Sequence, residues 1–229
     1  GNLVPQGEYD TDWYGEILRN AFTHNHNFSL SGGSERTTHF LGFGYLEDEG
    51  IVLNNKFSRF NVRANTDYTI NRKVSLGINT SFTHSDNKDV NLGAAYNNAY
   101  RAAPTIAGKV DGRYGNTSVY QNVGNAILDL SNNDNKLLQN RIQASGYLEY
   151  KPVSGLTLRS AIGTDVVNFS ERRYNYQFLN DEVTFLNPGG NQRNPNSSLN
   201  VKNENSFRWV WDNIVTYSTA IGKNNLTVM

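Results

Sequence analysis

Residues 57–82 read FSRFNVRANTDYTINRKVSLGINTSF, and this stretch decides the fold. In its first half a mostly apolar set of residues alternates with a polar set, namely Ser58, Phe60, Val62, Ala64, Thr66, Tyr68 and Ile70 against Arg59, Asn61, Arg63, Asn65, Asp67 and Thr69. The alternation resumes after Asn71-Arg72-Lys73 and continues to Phe82. A period of two residues is the pattern of a β-strand with unlike faces, so the stretch predicts a β-hairpin.

Both arms of this hairpin are long. Strands in soluble proteins usually have about 5–6 residues, whereas a tilted strand needs about 9–11 residues to cross a bilayer. The charged and amide side chains of the polar set also suit the water-filled interior of a membrane barrel. Arm length and polarity therefore both favour a transmembrane β-barrel over a soluble sandwich.

The composition of the 229-residue chain excludes several functional classes. Twenty-one basic residues balance 21 acidic residues, so nothing attracts nucleic acid electrostatically. The sequence contains no cysteine, which excludes disulfides, thiolate metal sites and cysteine nucleophiles. It also has no run of about 18 apolar residues, but alternating barrel strands do not need one.

The connectors between the predicted strands are alternately short and long along the chain. Residues 1–23 form an irregular lead-in, with a short helix predicted from Trp13 to Leu18 behind a cap at Asp12. Short connectors follow at 32–36, 71–73, 151–155 and 222–225, and long ones at 47–56, 85–138 and 168–200. Within the longest, residues 92–103 predict a helix that ends at Pro104, and 131–135 predict a loop. Tight turns at one end and long loops at the other are typical of an up-and-down outer-membrane barrel.

The barrel pattern runs from residue 24 to residue 229, and about seven strands precede a last one at Leu226–Met229. Seven strands are fewer than the smallest membrane barrels contain, and a strand edge in lipid must be paired. The sequence therefore predicts a fragment of a larger barrel.

Several motifs resemble the SusC/RagA family of TonB-linked outer-membrane transporters. They are Thr11-Asp12-Trp13, residues 27–34 (NFSLSGGS), Gly44-Tyr45-Leu46, residues 49–52 (EGIV), 59–63 (RFNVR), 111–114 (DGRY), 211–217 (WDNIVTY) and 225–228 (NLTV). The match covers nearly the whole chain and is most specific over residues 11–83.

This resemblance implies an all-β fold, an antiparallel up-and-down transmembrane segment of a 22-stranded barrel that follows an N-terminal plug. It also implies import of oligosaccharides or peptides through the cell outer membrane, with a SusD-like surface lipoprotein as partner and TonB acting through the plug. No enzyme activity and no cofactor are implied. The alternatives are an outer-membrane adhesin or structural barrel without active transport, and a soluble carbohydrate-binding β module.

Two sets of candidate site residues follow from the alternation. Arg59, Asn61, Arg63, Asn65 and Asp67 are predicted to face the lumen, where they line the substrate path or pack against the plug. Phe207, Trp209, Trp211 and Tyr217 are predicted to form an aromatic girdle at the membrane interface, and a sugar-stacking platform is the alternative.

No metal or catalytic site is predicted. His24 and His26 share a strand face but lack the third and fourth ligands that metal sites usually need. Residues 47–49 (EDE) lack the oxygen spacing of a calcium loop. The sequence contains no phosphate loop, nucleophile elbow or paired-carboxylate arrangement.

Overall fold

The computed structural model of the chain describes residues 8–229. The first seven residues of the predicted lead-in lie outside the described residues. In chain order the strands are β1 Thr23–Gly33, β2 Thr37–Glu49, β3 Lys56–Asn71, β4 Val74–Lys88, β5 Lys109–Val110, β6 Arg113–Tyr114, β7 Asn133–Tyr150, β8 Leu156–Asn175, β9 Ser198–Ile221 and β10 Asn224–Val228. Eight of them form one antiparallel sheet in the order β1-β2-β3-β4-β7-β8-β9-β10, and β5 and β6 form a separate small hairpin.

Four short helices lie outside this sheet: α1 Trp13–Ile17, α2 Leu92–Arg101, α3 Ser118–Gln121 and α4 Ala126–Ser131. The predicted cap of α1 is present, since the Asp12 carboxylate accepts a hydrogen bond from the Gly15 amide at 3.0 Å. Asn125 caps α4 in the same way, accepting from the amides of Ile127 and Leu128. In the described part of the chain, no helix has the length and apolarity needed to cross a membrane.

The predicted hairpin is confirmed as β3 and β4. Their turn is Arg72-Lys73, because Asn71 already pairs with Val74. The Asn71 side-chain oxygen accepts hydrogen bonds from the amides of Lys73 at 2.8 Å and Val74 at 3.0 Å, which fixes the turn. All eight strands follow one another in the sheet in chain order, so the up-and-down connectivity is also as predicted.

The long loops are shorter than predicted, because the strands beside them are longer. The connectors span 89–132 and 176–197 instead of 85–138 and 168–200. The predicted loop at 131–135 is wrong in part, since Asn133, Asp134 and Asn135 belong to β7 and pair with β8. Asparagine and aspartate are poor strand formers in isolation. Here the hydrogen-bond ladder to β8 overrides that preference.

The pairing register of the strands gives the large sheet one polar and one apolar face. Cross-strand partners lie side by side on one face. One such row is Arg63, Ser81, Gln143, Asp165 and Arg208, and the neighbouring row on the opposite face is Val62, Phe82, Ile142, Val166 and Phe207. We call the side of the first row the polar face and the side of the second row the apolar face.

The buried core lies outside the large sheet. It is built by α1, α2, α4 and the loops around them, and its members are Trp13, Ile17, Val52, Val90, Ala95, Ala99, Ala102, Ile106, Val123, Ala126 and Leu130. By contrast, Phe207, Trp209 and Trp211 on the apolar face are each more than 60% exposed. We call residues 11–18, 50–55, 89–132 and 176–197 together the long-loop unit.

Hydrogen bonds between distant segments hold the long-loop unit together. The Trp13 indole donates to the carbonyl of Ala103 at 3.0 Å, and the Thr11 hydroxyl donates to Ile106 at 2.7 Å. The Asn116 amide donates to the carbonyls of Asn187 and Gly189, which joins the two long loops to each other. Residues 11–18 and both long loops are therefore one packed body at the long-loop end of the sheet.

Candidate functional site

The apolar face has the height of a bilayer's hydrocarbon core. On β8 it runs from Leu156 to Val166, which is about 33 Å along the strand and about 25 Å along the normal at a typical barrel tilt. At the long-loop end of this face the side chains are charged and form ion pairs. The Lys56 amino group lies 2.7 Å from the Glu47 carboxylate, and the Lys136 amino group lies 3.1 Å from the Asp86 carboxylate. The apolar band thus ends where ion pairs begin.

Phe207, Trp209, Trp211 and Tyr217 all lie on this apolar face but at different heights. Tyr217 pairs with Leu156 near the short turns, and Phe207 pairs with Val166 toward the long loops. Ten residues separate these two aromatic rings, or about 33 Å along the strand. The Trp211 indole lies between them and donates to the Ser160 hydroxyl at 2.9 Å. The four aromatic side chains therefore do not share one level.

On the polar face there is an open cavity of about 390 Å³. Its lining includes the small residues Ser145 and Gly163 and the polar side chains of Arg63, Asn65 and Arg208. Of the five predicted polar-face residues, the cavity brings together Arg63 and Asn65. Arg59, Asn61 and Asp67 lie on the same face but outside this cavity.

Sequence reasoning missed three charged residues on this face. The Arg141 guanidinium donates two hydrogen bonds to Asp165, at 2.8 and 2.7 Å, and Arg208 lies beside Asp165 on β9. The alternation in β7, β8 and β9 places all three on the polar face by the same rule that placed Arg63 there. Their pairing across strands depends on the register, which the sequence does not specify.

A tyrosine bridge crosses the polar face nearer the short turns. The Tyr147 hydroxyl on β7 donates to the Asp67 carboxylate on β3 at 2.7 Å, and its ring passes over Gly77 of the intervening β4. The Arg159 guanidinium stacks on the outer side of the ring, 3.9 Å from its centroid. Gly77 allows this crossing because a β-carbon there would collide with the Tyr147 ring and the Asp67 carboxylate.

Replacing Gly77 with valine is therefore expected to displace Tyr147 and to lower the free energy of unfolding by about 1–3 kcal/mol. The measurement is a urea titration of the full-length protein in lipid vesicles. Gly32→Val is the matched control, because nothing lies within 4 Å of a β-carbon at Gly32. Equal losses in the two variants would show that the crossing is not the reason for glycine at position 77.

A second cavity, of about 580 Å³, lies where the long-loop unit meets the ends of β7 and β8. Asn135, on the polar face of β7, is 8% exposed there, and its side-chain oxygen has no hydrogen-bond partner among the described residues. Burial raises the pKa of the Asp129 carboxyl, although hydrogen bonds donated by Asn98 at 2.7 Å and Gln192 at 3.4 Å oppose the shift. Arg173 lies 3.4 Å from Asp89.

The chain is similar to transport receptors over nearly all of its length. It is 26% identical to TonB-dependent receptor P26 of Formosa agariphila over 94% of the chain, and 26% identical to TonB-dependent receptor SusC of Bacteroides thetaiotaomicron over 100%. A structure of the RagAB peptide transporter superposes with a TM-score of 0.73 at 20% identity, over 96% of this chain. The SusC/RagA resemblance is confirmed. No family model matches the sequence.

The SusC/RagA-like chain spans only part of these proteins. It covers 21% of P26, 24% of SusC and 25% of the RagAB chain. Its eight-stranded sheet superposes on the RagAB chain, so the predicted fold class, an antiparallel up-and-down barrel segment, is confirmed. The relatives are named as receptors and transporters, not as enzymes.

The metal-site candidates of this SusC/RagA-like segment, His24, His26 and the acidic residues 47–49, lie outside the two cavities. The rings of His24 and His26 stack with centroids 6.3 Å apart. Within residues 8–229 no three histidine or acidic side chains are close enough to hold a metal ion. Glu47 is held by Lys56 and by the Tyr45 hydroxyl, and Glu49 lies 3.8 Å from Arg19.

Proposed function

We propose that this chain is part of the barrel wall of a TonB-dependent transporter in the cell outer membrane. The observation that carries the proposal is the large sheet with one exposed apolar face of bilayer height and one polar face. A water-soluble sheet would bury such an apolar face in a core, whereas the buried core of this chain is in the long-loop unit. The similarity to SusC and to the RagAB peptide transporter supports the same assignment.

In this assignment the apolar face contacts lipid and the polar face lines the lumen of a barrel with 22 strands. Arg59, Asn61, Arg63, Asn65 and Asp67 then line the substrate path or contact the plug. Phe207 and Trp209 belong to the outer aromatic girdle and Tyr217 to the inner one, because ten residues separate Phe207 from Tyr217.

The long-loop unit lies on the extracellular side in this orientation, where a SusD-like lipoprotein would meet it. The transported substrate is an oligosaccharide or a peptide, and TonB supplies the energy through the plug. RagAB is named as a peptide transporter and supports the second substrate class. An assembled transporter of this kind needs the parts of the barrel that this chain does not contain.

The proposal is tested by growth of the source bacterium on oligosaccharides or peptides as the limiting nutrient. Deletion of the gene for the full-length protein is expected to abolish growth on its substrate, and deletion of tonB is expected to have the same effect. The full-length protein should fractionate with the outer membrane. A protein found in the outer membrane whose deletion affects surface attachment and no TonB-dependent growth would support the adhesin alternative and contradict transport.

A further inference from the structure

We infer that a row of basic side chains beyond the apolar band, which we call the basic row, binds the phosphate group of an outer-leaflet lipid. The basic row crosses four neighbouring strands on the apolar face, and its members are Lys56, Lys88, Lys136 and Arg172. The inference rests on the proposed function for the placement of this face in lipid with the long-loop unit outside the cell. It concerns the membrane around the barrel and not the transported substrate.

The pairing register brings these four cations side by side. Lys56 pairs directly with Lys88, and Lys136 pairs directly with Arg172. The register between β4 and β7 sets Lys88 against Lys136 in the same way. Like charges that face each other across a strand pair are destabilising. The basic row therefore needs anions close to it.

Carboxylates of the chain compensate three of the four cations. The ion pairs are Lys56 with Glu47 at 2.7 Å, Lys136 with Asp86 at 3.1 Å and Arg172 with Asp134, while Glu49 beside the row pairs with Arg19 at 3.8 Å. Lys88 is exposed, and no carboxylate of residues 8–229 forms an ion pair with it. One positive charge is thus left for an anion from outside the chain.

A cavity of about 260 Å³ lies among these side chains. The three lysines of the basic row line it together with Ser58, Asp86 and Asp134, which the alternation places on the same face. Sites for drug-sized ligands usually have roughly 300–1,000 Å³. The cavity therefore suits one charged headgroup and not a whole lipid molecule.

The lining supplies the donors that a phosphate group needs. Each lysine ammonium has three N–H donors, so Lys56 and Lys136 can donate to a phosphate without leaving their carboxylates. Lys88 adds a full ammonium group, and the Ser58 hydroxyl adds one more donor. Lysine is a common ligand of phosphate, to which it acts as a point charge.

The height of the basic row selects a lipid phosphate over a phosphate in solution. Lys56 lies four residues beyond Phe60 on β3, and Lys136 lies two residues beyond Leu138 on β7. These steps are about 13 and 7 Å along the strands, or about 10 and 5 Å along the normal at a typical barrel tilt. The polar headgroup layer extends about 5–8 Å beyond the hydrocarbon core. Flexible lysine side chains reach into that layer from this height.

The test measures lipid binding by purified full-length protein in detergent with native mass spectrometry. The probes are monophosphorylated lipid A and the same lipid without its phosphate. Wild-type protein is expected to bind the phosphorylated probe about tenfold more tightly. Lys88→Gln removes the uncompensated charge at an exposed position and is expected to reduce this preference about fivefold.

Lys202→Gln is the matched control. Lys202 is exposed on the polar face of β9 and pairs with Glu171, the residue before Arg172. The control therefore removes the same charge at the same height but on the opposite face, and it should keep the full preference for the phosphorylated probe.

Three results would overturn the lipid site. The first is equal affinity of wild-type protein for the two probes, and the second is a full preference in Lys88→Gln. The third is an equal loss in Lys202→Gln and Lys88→Gln, which would show a general effect of charge. Inorganic phosphate is titrated in parallel, and Lys88-dependent binding of it without binding of the phosphorylated lipid would also contradict a lipid ligand.

Growth and fractionation separate this inference from the proposed function. The Lys88→Gln strain should place the protein in the outer membrane and show normal TonB-dependent growth, because Lys88 lies on the face away from the proposed lumen. Wild-type protein that prefers the phosphorylated lipid but supports no TonB-dependent growth would contradict transport and support the lipid site. Growth without any lipid preference would contradict the lipid site alone.

Discussion

Replacement of Trp13 with alanine is expected to lower the local free energy of unfolding of the long-loop unit by about 3–5 kcal/mol, the usual range for a buried tryptophan. Trp13 is 4% exposed and packs in the core that α1, α2 and α4 share. Its indole also donates the hydrogen bond to Ala103 that ties the lead-in to the first long loop. The substitution removes both the packing and this connection.

Hydrogen exchange of the full-length protein measures this effect. Amides in α2 and α4 should exchange faster in Trp13→Ala, because local opening of the long-loop unit becomes more frequent. Amides in the middle of β7 and β8 should keep their protection. Trp209→Ala makes the same substitution on the exposed apolar face and should leave α2 and α4 unchanged. If α2 and α4 stay fully protected in Trp13→Ala, the lead-in does not stabilise the long-loop unit.

Replacement of Ile162 with arginine is expected to destabilise the folded protein in lipid by about 2–4 kcal/mol, the range for a cation at the bilayer midplane. Ile162 is exposed on the apolar face of β8, midway between Leu156 and Val166. A charge at that depth loses its hydration unless the bilayer deforms around it. The free energy of unfolding in vesicles gives the size of the loss.

The neighbouring position provides the control. Val210 lies on the polar face of the neighbouring strand, is exposed and pairs with Gly163. Val210→Arg therefore places the same charge on the polar face two residues from Asp212, and the free energy of unfolding should change little. A loss as large in Val210→Arg as in Ile162→Arg would contradict the assignment of the two faces to lumen and lipid.

Local alternation was sufficient to predict the strands in their apolar zones. Val62, Phe82 and Ile142 follow the same period as their neighbours, so both the strands and their faces could be read from the sequence. Beyond the apolar band the alternation of apolar and polar residues stops, because a strand with water on both faces does not need it. Asn133–Asn135 were accordingly missed as strand.

The candidate sites depend on contacts that alternation does not specify. Alternation alone placed Arg63 on the polar face, whereas the cavity beside it also needs Arg208 from β9. The contact between Trp13 and Ala103 joins residues 90 positions apart. The second cavity likewise combines two long loops with two strand ends, and only the folded long-loop unit brings them together.

The length of β8 and β9 raises the second long loop above the apolar band. All twenty residues of β8 pair with β9 without a register shift, so the paired strands are continuous from Leu156 to Asn175. Their upper part, from Val166 to Asn175, extends about 30 Å along the strand. Residues 176–197 therefore begin well beyond the apolar band, at the level where Gln192 contacts α4.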